Sequence, residues 1–244
     1  MNGNLFVADQ INNKIRKITP AGLVSTFAGS GIAGSADGTG ISASFNNPTC
    51  LAFDNSGNIF VTDFYNHKIR KITTSGQVTT FAGNGTVGSL DGIGSSANFN
   101  SPFGITIDPV NNIYVADWAS NRIRKITFDA VVTTLAGSGV EGATDGMGLA
   151  ASFAKPHGIA TDTSGNLYVS DEINNKIRKI STGFTIYPNL PLGLSLNFNT
   201  GVITGNPFVA KPLTTYTINA SNGFGRYQTT VNIEVRCPFS VAST

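Results

Sequence analysis

The chain has 244 residues, 40% of them hydrophobic and only 12% charged, with 28 glycines and a net charge of +2. That length holds one large or two ordinary domains, and so small a charge does not by itself point to nucleic acid or a membrane surface as partner. No apolar run approaches the ~18 residues of a membrane span, and two cysteines, Cys50 and Cys237, make neither a disulfide framework nor a metal-thiolate pattern.

Four segments recur in register: Asn4–Asp9, Asn58–Asp63, Asn112–Asp117 and Asn166–Asp171, each 54 residues after the last. The same interval separates Ile15–Ile18, Ile69–Ile72, Ile123–Ile126 and Ile177–Ile180, so nothing is inserted or deleted between copies. A fixed period of this size marks a repeat architecture. Met1-Asn2-Gly3-Asn4 aligns with Ser56-Gly57-Asn58, so the chain opens within a repeat and shows no charged n-region or apolar h-region of a signal peptide. The expectation is a fragment of a longer protein.

One full unit runs from Pro48 to Ser101. Cys50–Asp54 predicts a short innermost strand, Asn55–Asn58 a turn, and Ile59–Asp63 a second strand. Phe64–His67 is a loop that places His67 on the surface. Lys68–Thr73 predicts a third strand, Thr74–Gly76 a turn and Gln77–Ala82 a fourth strand, followed by a Gly-rich connector to Ser101. Ile69 and Ile72 lie three apart and so point to opposite faces of the third strand. Both faces must then be covered, as when four-stranded blades stack around an axis. The fold class is all-β: a partial β-propeller of about three and a half blades, the first without its inner strand and the fourth without its outer one. Cys50 replaces Gly104 and Gly158 and reads as a small buried side chain.

The repeat resembles the NHL family of propellers. Pro102-Phe103-Gly104-Ile105-Thr106-Ile107-Asp108, Asn112-Ile113-Tyr114-Val115-Ala116-Asp117 and Asn121-Arg122-Ile123-Arg124-Lys125-Ile126 carry the likeness, and Asn66-His67-Lys68-Ile69 is nearest the triplet that names the family. The connector Gly34–Gly40 with Ala43 and Phe45 is similar to inter-blade connectors of microbial members, and recurs at Asp91-Gly92 with Phe99 and Asp145-Gly146 with Phe153. The resemblance covers residues 1–181 and implies about six blades. A bare blade face exposes about four large apolar side chains at ~1.5–3 kcal/mol each, comparable to a whole domain's stability. Further blades upstream, or self-association, are therefore expected.

After Gly183 the period is lost. Leu190–Leu196, Asn199–Pro207 and Thr215–Asn222, then the alternating run Tyr227–Val235, predict a small β-sandwich. Residues 182–236 resemble a truncated Ig-like, cadherin-like module of secreted and surface proteins, and 237–244 form a tail. The join at Ser181–Phe184 reads as a place where sequence has been lost.

Candidate chemistry divides between what every copy shares and what differs. Asp9, Asp63, Asp117 and Asp171 occur in every blade and read as turn-forming acceptors of backbone N–H groups rather than a carboxylate ring. Asp37-Gly38, Asp91-Gly92 and Asp145-Gly146 read as turns, since one carboxylate each falls short of a calcium loop. Twelve of the 16 basic residues lie in the third strands. With repeated aspartates alongside and no aromatic stacking platform, they read as solvated strand edges and interblade ion pairs, with an RNA-binding propeller as a rival. Residues that differ between copies are the candidates for contact: Thr49, Phe103 and His157 opening the inner strands, and Phe64, Tyr65 and Trp118 in the loops after strand two. The resemblance implies a second rival at His157, a metal-dependent lyase or hydrolase on the axis, for which Thr and Phe at the equivalent positions supply no ligands. No nucleophile elbow, phosphate loop or dinucleotide fingerprint is present. The expected function is a non-catalytic binding scaffold from a secreted or surface microbial protein, with a protein or glycan partner, no cofactor and no metal.

Overall fold

The computed structural model describes residues 3–163, 165–181, 183–196, 201–207, 209–222 and 225–236. Cys237, the 237–244 tail and residues 197–200 of the Ig-like motif lie outside them. The chain divides into two compact units, Met1–Ile180 and Ser181–Thr244.

In the first unit, β1 (Leu5–Asp9), β2 (Lys14–Ile18) and β3 (Val24–Ala28) form blade 1, a three-stranded antiparallel sheet. Blade 2 contains β4 (Gly38–Thr39), β5 (Pro48–Phe53), β6 (Ile59–Asp63), β7 (Lys68–Ile72) and β8 (Gln77–Ala82), in the order β5-β6-β7-β8-β4. Blade 3 repeats this with β9 (Gly92–Ile93), β10 (Pro102–Ile107), β11 (Ile113–Asp117), β12 (Arg122–Ile126) and β13 (Val131–Ala136). Blade 4 has β14 (Pro156–Thr161), β15 (Leu167–Asp171) and β16 (Lys176–Ile180). All neighbouring strands run antiparallel.

The turns follow from the sequence. Asp54 Oδ1 accepts from the backbone N–H groups of Ser56 and Asn58, closing the turn from β5 to β6. Asn13, His67, Asn121 and Asn175 take left-handed conformations, with φ between 51° and 54°, at the end of the loop between strands two and three. One feature of the blades has no periodic signal: β4 and β9 add a fifth edge strand to the blade that follows, through Gly38↔Val78 and Gly92↔Val132. Two residues are too few to alternate, so this pairing depends on tertiary placement.

Each blade has a leading face toward the preceding blade and a trailing face toward the next. Ile69 and Ile72 do lie on opposite faces, in different core clusters. The trailing Phe60, Ile69 and Ala82 of blade 2 pack with connector residues Ala97 and Phe99 against the leading Ile113, Val115, Ile126 and Val132 of blade 3. The same positions meet between blades 1 and 2 and between blades 3 and 4.

In the second unit β17 (Gly183–Tyr187), β18 (Leu194–Leu196), β19 (Ile203–Gly205), β20 (Lys211–Asn222) and β21 (Gly225–Val235) form a sheet β17-β20-β21 and a two-stranded hairpin β18-β19. Pro191, Leu196 and Tyr216 are its buried side chains among the described residues.

Candidate functional site

The inner strands open on a shared irregularity. Pairing of β5 with β6 skips between Pro48 and Leu51, of β10 with β11 between Pro102 and Ile105, and of β14 with β15 between Pro156 and Ile159. Such bulges release side chains from the ladder and re-aim them. The released residues are Thr49, Phe103 and His157. Thr49 Oγ1 and Thr62 Oγ1 lie 2.8 Å apart, and both donate to the Phe103 carbonyl, at 2.9 and 2.7 Å. The Phe103 ring lies against the His157 imidazole, with centroids 3.6 Å apart and planes 33° apart. This approach needs Gly104: a Cβ there would collide with the His157 carbonyl. Cys50, at the equivalent position in blade 2, is half-buried, and burial pushes its thiol up against one backbone hydrogen bond.

The loops after strand two extend this row. Phe64 sits edge-on to Phe103 at 5.8 Å and to Tyr65 at 4.9 Å, and its ring lies 6.1 Å from Trp118. Trp118 Nε1 donates to Glu172 Oε2 at 2.9 Å, and Lys155 Nζ lies 4.4 Å over the indole. Backbone bonds clamp these loops to the connectors, Tyr65 N–H to the Asn46 carbonyl and Ala119 N–H to the Asn100 carbonyl. All six residues singled out from sequence thus come together in one row across blades 2, 3 and 4. Phe64, Phe103, Trp118 and His157 are half-buried, and Tyr65 is 58% exposed. Sequence reasoning missed Lys155 and Glu172. Glu172 occupies the place of Phe64 and Trp118 one repeat on, which is the signal that could have found it.

The repeated aspartates do something different from what their turns suggested. Asp63 Oδ1 accepts from the N–H of Asn46, in the connector that precedes its blade, not from its own following turn. Asp63 Oδ2 takes Asn66 Nδ2 at 2.8 Å and Arg70 Nη1 at 2.8 Å. Arg70 Nη2 reaches connector Asp37 at 2.7 Å, and the two nitrogens also donate to the carbonyls of Ser44 and Ala36. The connector ring Phe45 lies 5.4 Å from this guanidinium. Arg124 repeats the arrangement with Asp117 and Asp91, and Arg178 with Asp171 and Asp145. Arg70 and Arg124 are wholly buried. The connector Asp and Phe therefore tie each blade to the arginine of the next, a role beyond turn formation, and the middle cation of the basic stripe is internal. Burial pushes Asp63 up and Asp117 up to about 6, against the pull of their arginines and hydrogen-bond donors.

His67 corrects the surface reading. It is half-buried, and its Nδ1 accepts from the Ser101 N–H at 3.0 Å. Asn13 Oδ1 and Asn121 Oδ1 accept in the same way from Asn47 and Lys155. In blades 1 to 3 the loop residue latches the blade to the connector that follows. Burial holds the His67 pKa below its ordinary value.

Among the described residues no group of three or more His, Cys, Asp or Glu is placed to hold a metal ion, and no helix is long and apolar enough to cross a membrane.

Tandem four-stranded antiparallel blades joined face to face define a partial β-propeller, with an all-β second unit. The NHL repeat family matches residues 45–72, and the family described as "Putative Ig domain" matches residues 150–236. The second match overlaps blade 4, whose strands pair within the first unit. NHL repeat-containing protein 2 of Homo sapiens is 29% identical over 216 residues, 74% of this chain and 30% of that protein. The Bos taurus protein of the same name is 40% identical over 89 residues, 36% of this chain and 12% of that one. The chain spans less than a third of the length of these relatives. Among solved structures, a structural genomics protein from Bacteroides thetaiotaomicron has a TM-score of 0.58 at 24% identity, over 72% of this chain and 44% of that one. An auxiliary nutrient binding protein from the same organism has a TM-score of 0.58 at 21% identity, over 74% and 46%. These likenesses concern the fold.

Proposed function

We propose that the chain is a non-catalytic binding scaffold, part of a secreted or surface-exposed microbial protein, that presents the row Thr49, Phe64, Tyr65, Phe103, Trp118 and His157 to a protein or glycan. The observation that carries this reading is the continuity of the row: aromatic rings from three blades meet edge to face and ring to ring on loops held by backbone bonds. Clustered, partly exposed aromatic side chains on a rigid frame are what a recognition surface uses, because little side-chain entropy is lost on binding. The Ig-type match favours a secreted or surface setting. A metal-dependent reaction needs donors converging on His157, whose near neighbour is the Phe103 ring. RNA binding needs free cations in a row, and the central arginines of blades 2 to 4 are spent on buried carboxylates.

Trp118 is the sole tryptophan and reports on the row directly. Titration with a panel of neutral oligosaccharides and extended peptides is expected to shift its emission saturably, with affinity reduced by roughly tenfold or more in Tyr65→Ala. A saturable response unchanged in Tyr65→Ala and Phe64→Ala, or none across the panel, would count against this surface.

A further inference from the structure

The loop after strand two meets the next connector at each joint, and the joint of blades 3 and 4 makes that meeting differently from the first. Gln10 Nε2 donates to Asn47 Oδ1 at 2.7 Å, a pairing of neutral amides. Trp118 and Lys155 occupy the same two places further along the chain, and the Lys155 ammonium lies 4.4 Å over the indole. Trp118 Nε1 donates to Glu172 Oε2 at 2.9 Å, which sets a carboxylate at the ring edge. The Phe64 ring stands 6.1 Å away, tilted by 54°. Among the described residues Lys155 forms no ion pair, so the indole face and not a carboxylate holds its ammonium.

The frame does not require a lysine here. Asn47 and Ser101 take the same left-handed conformation at the equivalent position, with φ of 61° and 56° against 56° at Lys155. The contacts that fix this stretch use backbone groups: the Lys155 N–H donates to Asn121 Oδ1 at 2.9 Å, and its carbonyl accepts from the Glu172 N–H at 3.3 Å. The half-buried side chain is left over for the indole. An aromatic face with a carboxylate beside it is the chemistry that receives an organic cation.

We propose that Trp118, Glu172 and Phe64 form a seat for an alkylammonium group, the side chain of a lysine or methylated lysine in a protein partner, and that Lys155 fills this seat in the free chain. The proposal rests on the reading of the aromatic row as a recognition surface, and it selects a cationic peptide over a glycan. A partner ammonium displaces Lys155, which leaves on its flexible stem without moving the backbone. One cation–aromatic contact then replaces another, so the unaltered chain gains little, and clearing the seat should raise affinity.

Lys155→Asn clears it with the residue found at position 47, which tolerates the left-handed backbone. Calorimetric titration would use capped peptides identical except at one central residue: lysine, trimethyl-lysine, glutamine or glutamate. Lys155→Asn should bind the lysine and trimethyl-lysine peptides roughly fivefold or more tighter than the unaltered chain does, with the glutamine peptide unchanged. Adding Glu172→Gln should remove most of that gain. Trimethyl-lysine has no N–H to donate, so affinity at least equal to that of lysine assigns the seat to the indole face rather than to a hydrogen bond with Glu172. Equal gains for the lysine and glutamine peptides, no gain, or a preference for the glutamate peptide would overturn the proposal. If neutral ligands still respond to Tyr65→Ala while these gains are missing, the seat fails and the row stands. No response to any peptide or oligosaccharide in any variant would remove both.

Discussion

Blades 2 and 3 differ from blades 1 and 4 in neighbours far more than in sequence. The third strands read Lys68-Ile69-Arg70-Lys71-Ile72 and Lys176-Ile177-Arg178-Lys179-Ile180, yet Ile69 is fully buried and Ile177 is 72% exposed. Arg70 is wholly buried between Asp63 and Asp37, whereas the equivalent Arg16 has 29% of its side chain exposed and a single aspartate partner. The blade motif is thus a half-specification. A strand carries residues for two faces and a cation for a preceding connector, and whether they stabilise anything depends on the next blade being there.

The sharpest way to break this comparison is to remove the arginine. Arg124→Ala leaves Asp117 buried with its charge uncompensated and should cost about 3–5 kcal/mol in urea denaturation. Arg16→Ala removes a partly solvated pair and should cost about 0–1 kcal/mol. Equal costs would show that the connector carboxylate contributes nothing. The apolar counterpart comes next: Ile123→Ala should cost about 2–5 kcal/mol through transfer and cavity terms. Ile177→Ala, at the same strand position, should stay within about 0.5 kcal/mol for the dilute single chain.

A smaller effect separates one latch from its equivalents. His67 accepts the Ser101 N–H only while Nδ1 is unprotonated, and its pKa in the fold is held below the ordinary 6.5. The unfolded chain therefore binds the proton more readily, so the contribution of His67 is full above about pH 6.5 and is lost as pH falls through the folded value. Its size should be on the order of 1 kcal/mol, as for one hydrogen bond. His67→Asn restores the residue used at Asn13 and Asn121 and should remove this dependence. Since both proteins carry the same raised carboxylates, Asp63 and Asp117, the difference between their stability–pH curves isolates His67. Parallel curves would sink the assignment. The smallest change is expected for Tyr65→Ala, exposed on its loop, which should shift stability by no more than about 0.5 kcal/mol while altering any ligand response of Trp118.

Much of the blade could be read directly. The strand Ile59–Asp63, the polar turn Asn55–Asn58 and the offset of Ile69 from Ile72 each follow from residues close together in sequence, and each reappears in the fold. Comparing copies also selected the six residues of the aromatic row, because a position that varies against a constant frame is free of the frame's own requirements. Their contact with one another was not legible. It arises because bulges after Pro48, Pro102 and Pro156 turn equivalent side chains out of the ladder, and because loop and inner strand of successive blades lie side by side. The role of the connector was hidden for a similar reason. Asp37 and Arg70 are 33 residues apart and belong to no local pattern.

By itself, the sequence determined the strands, the turns, the 54-residue unit and the need for two covered faces, since these rest on periodicity and on chemistry within a few residues. Only the tertiary structure decided which carboxylate each arginine takes and that His67 is a latch rather than a surface residue. Those depend on groups from separate blades arriving at one place, and burial there changes what each interaction contributes.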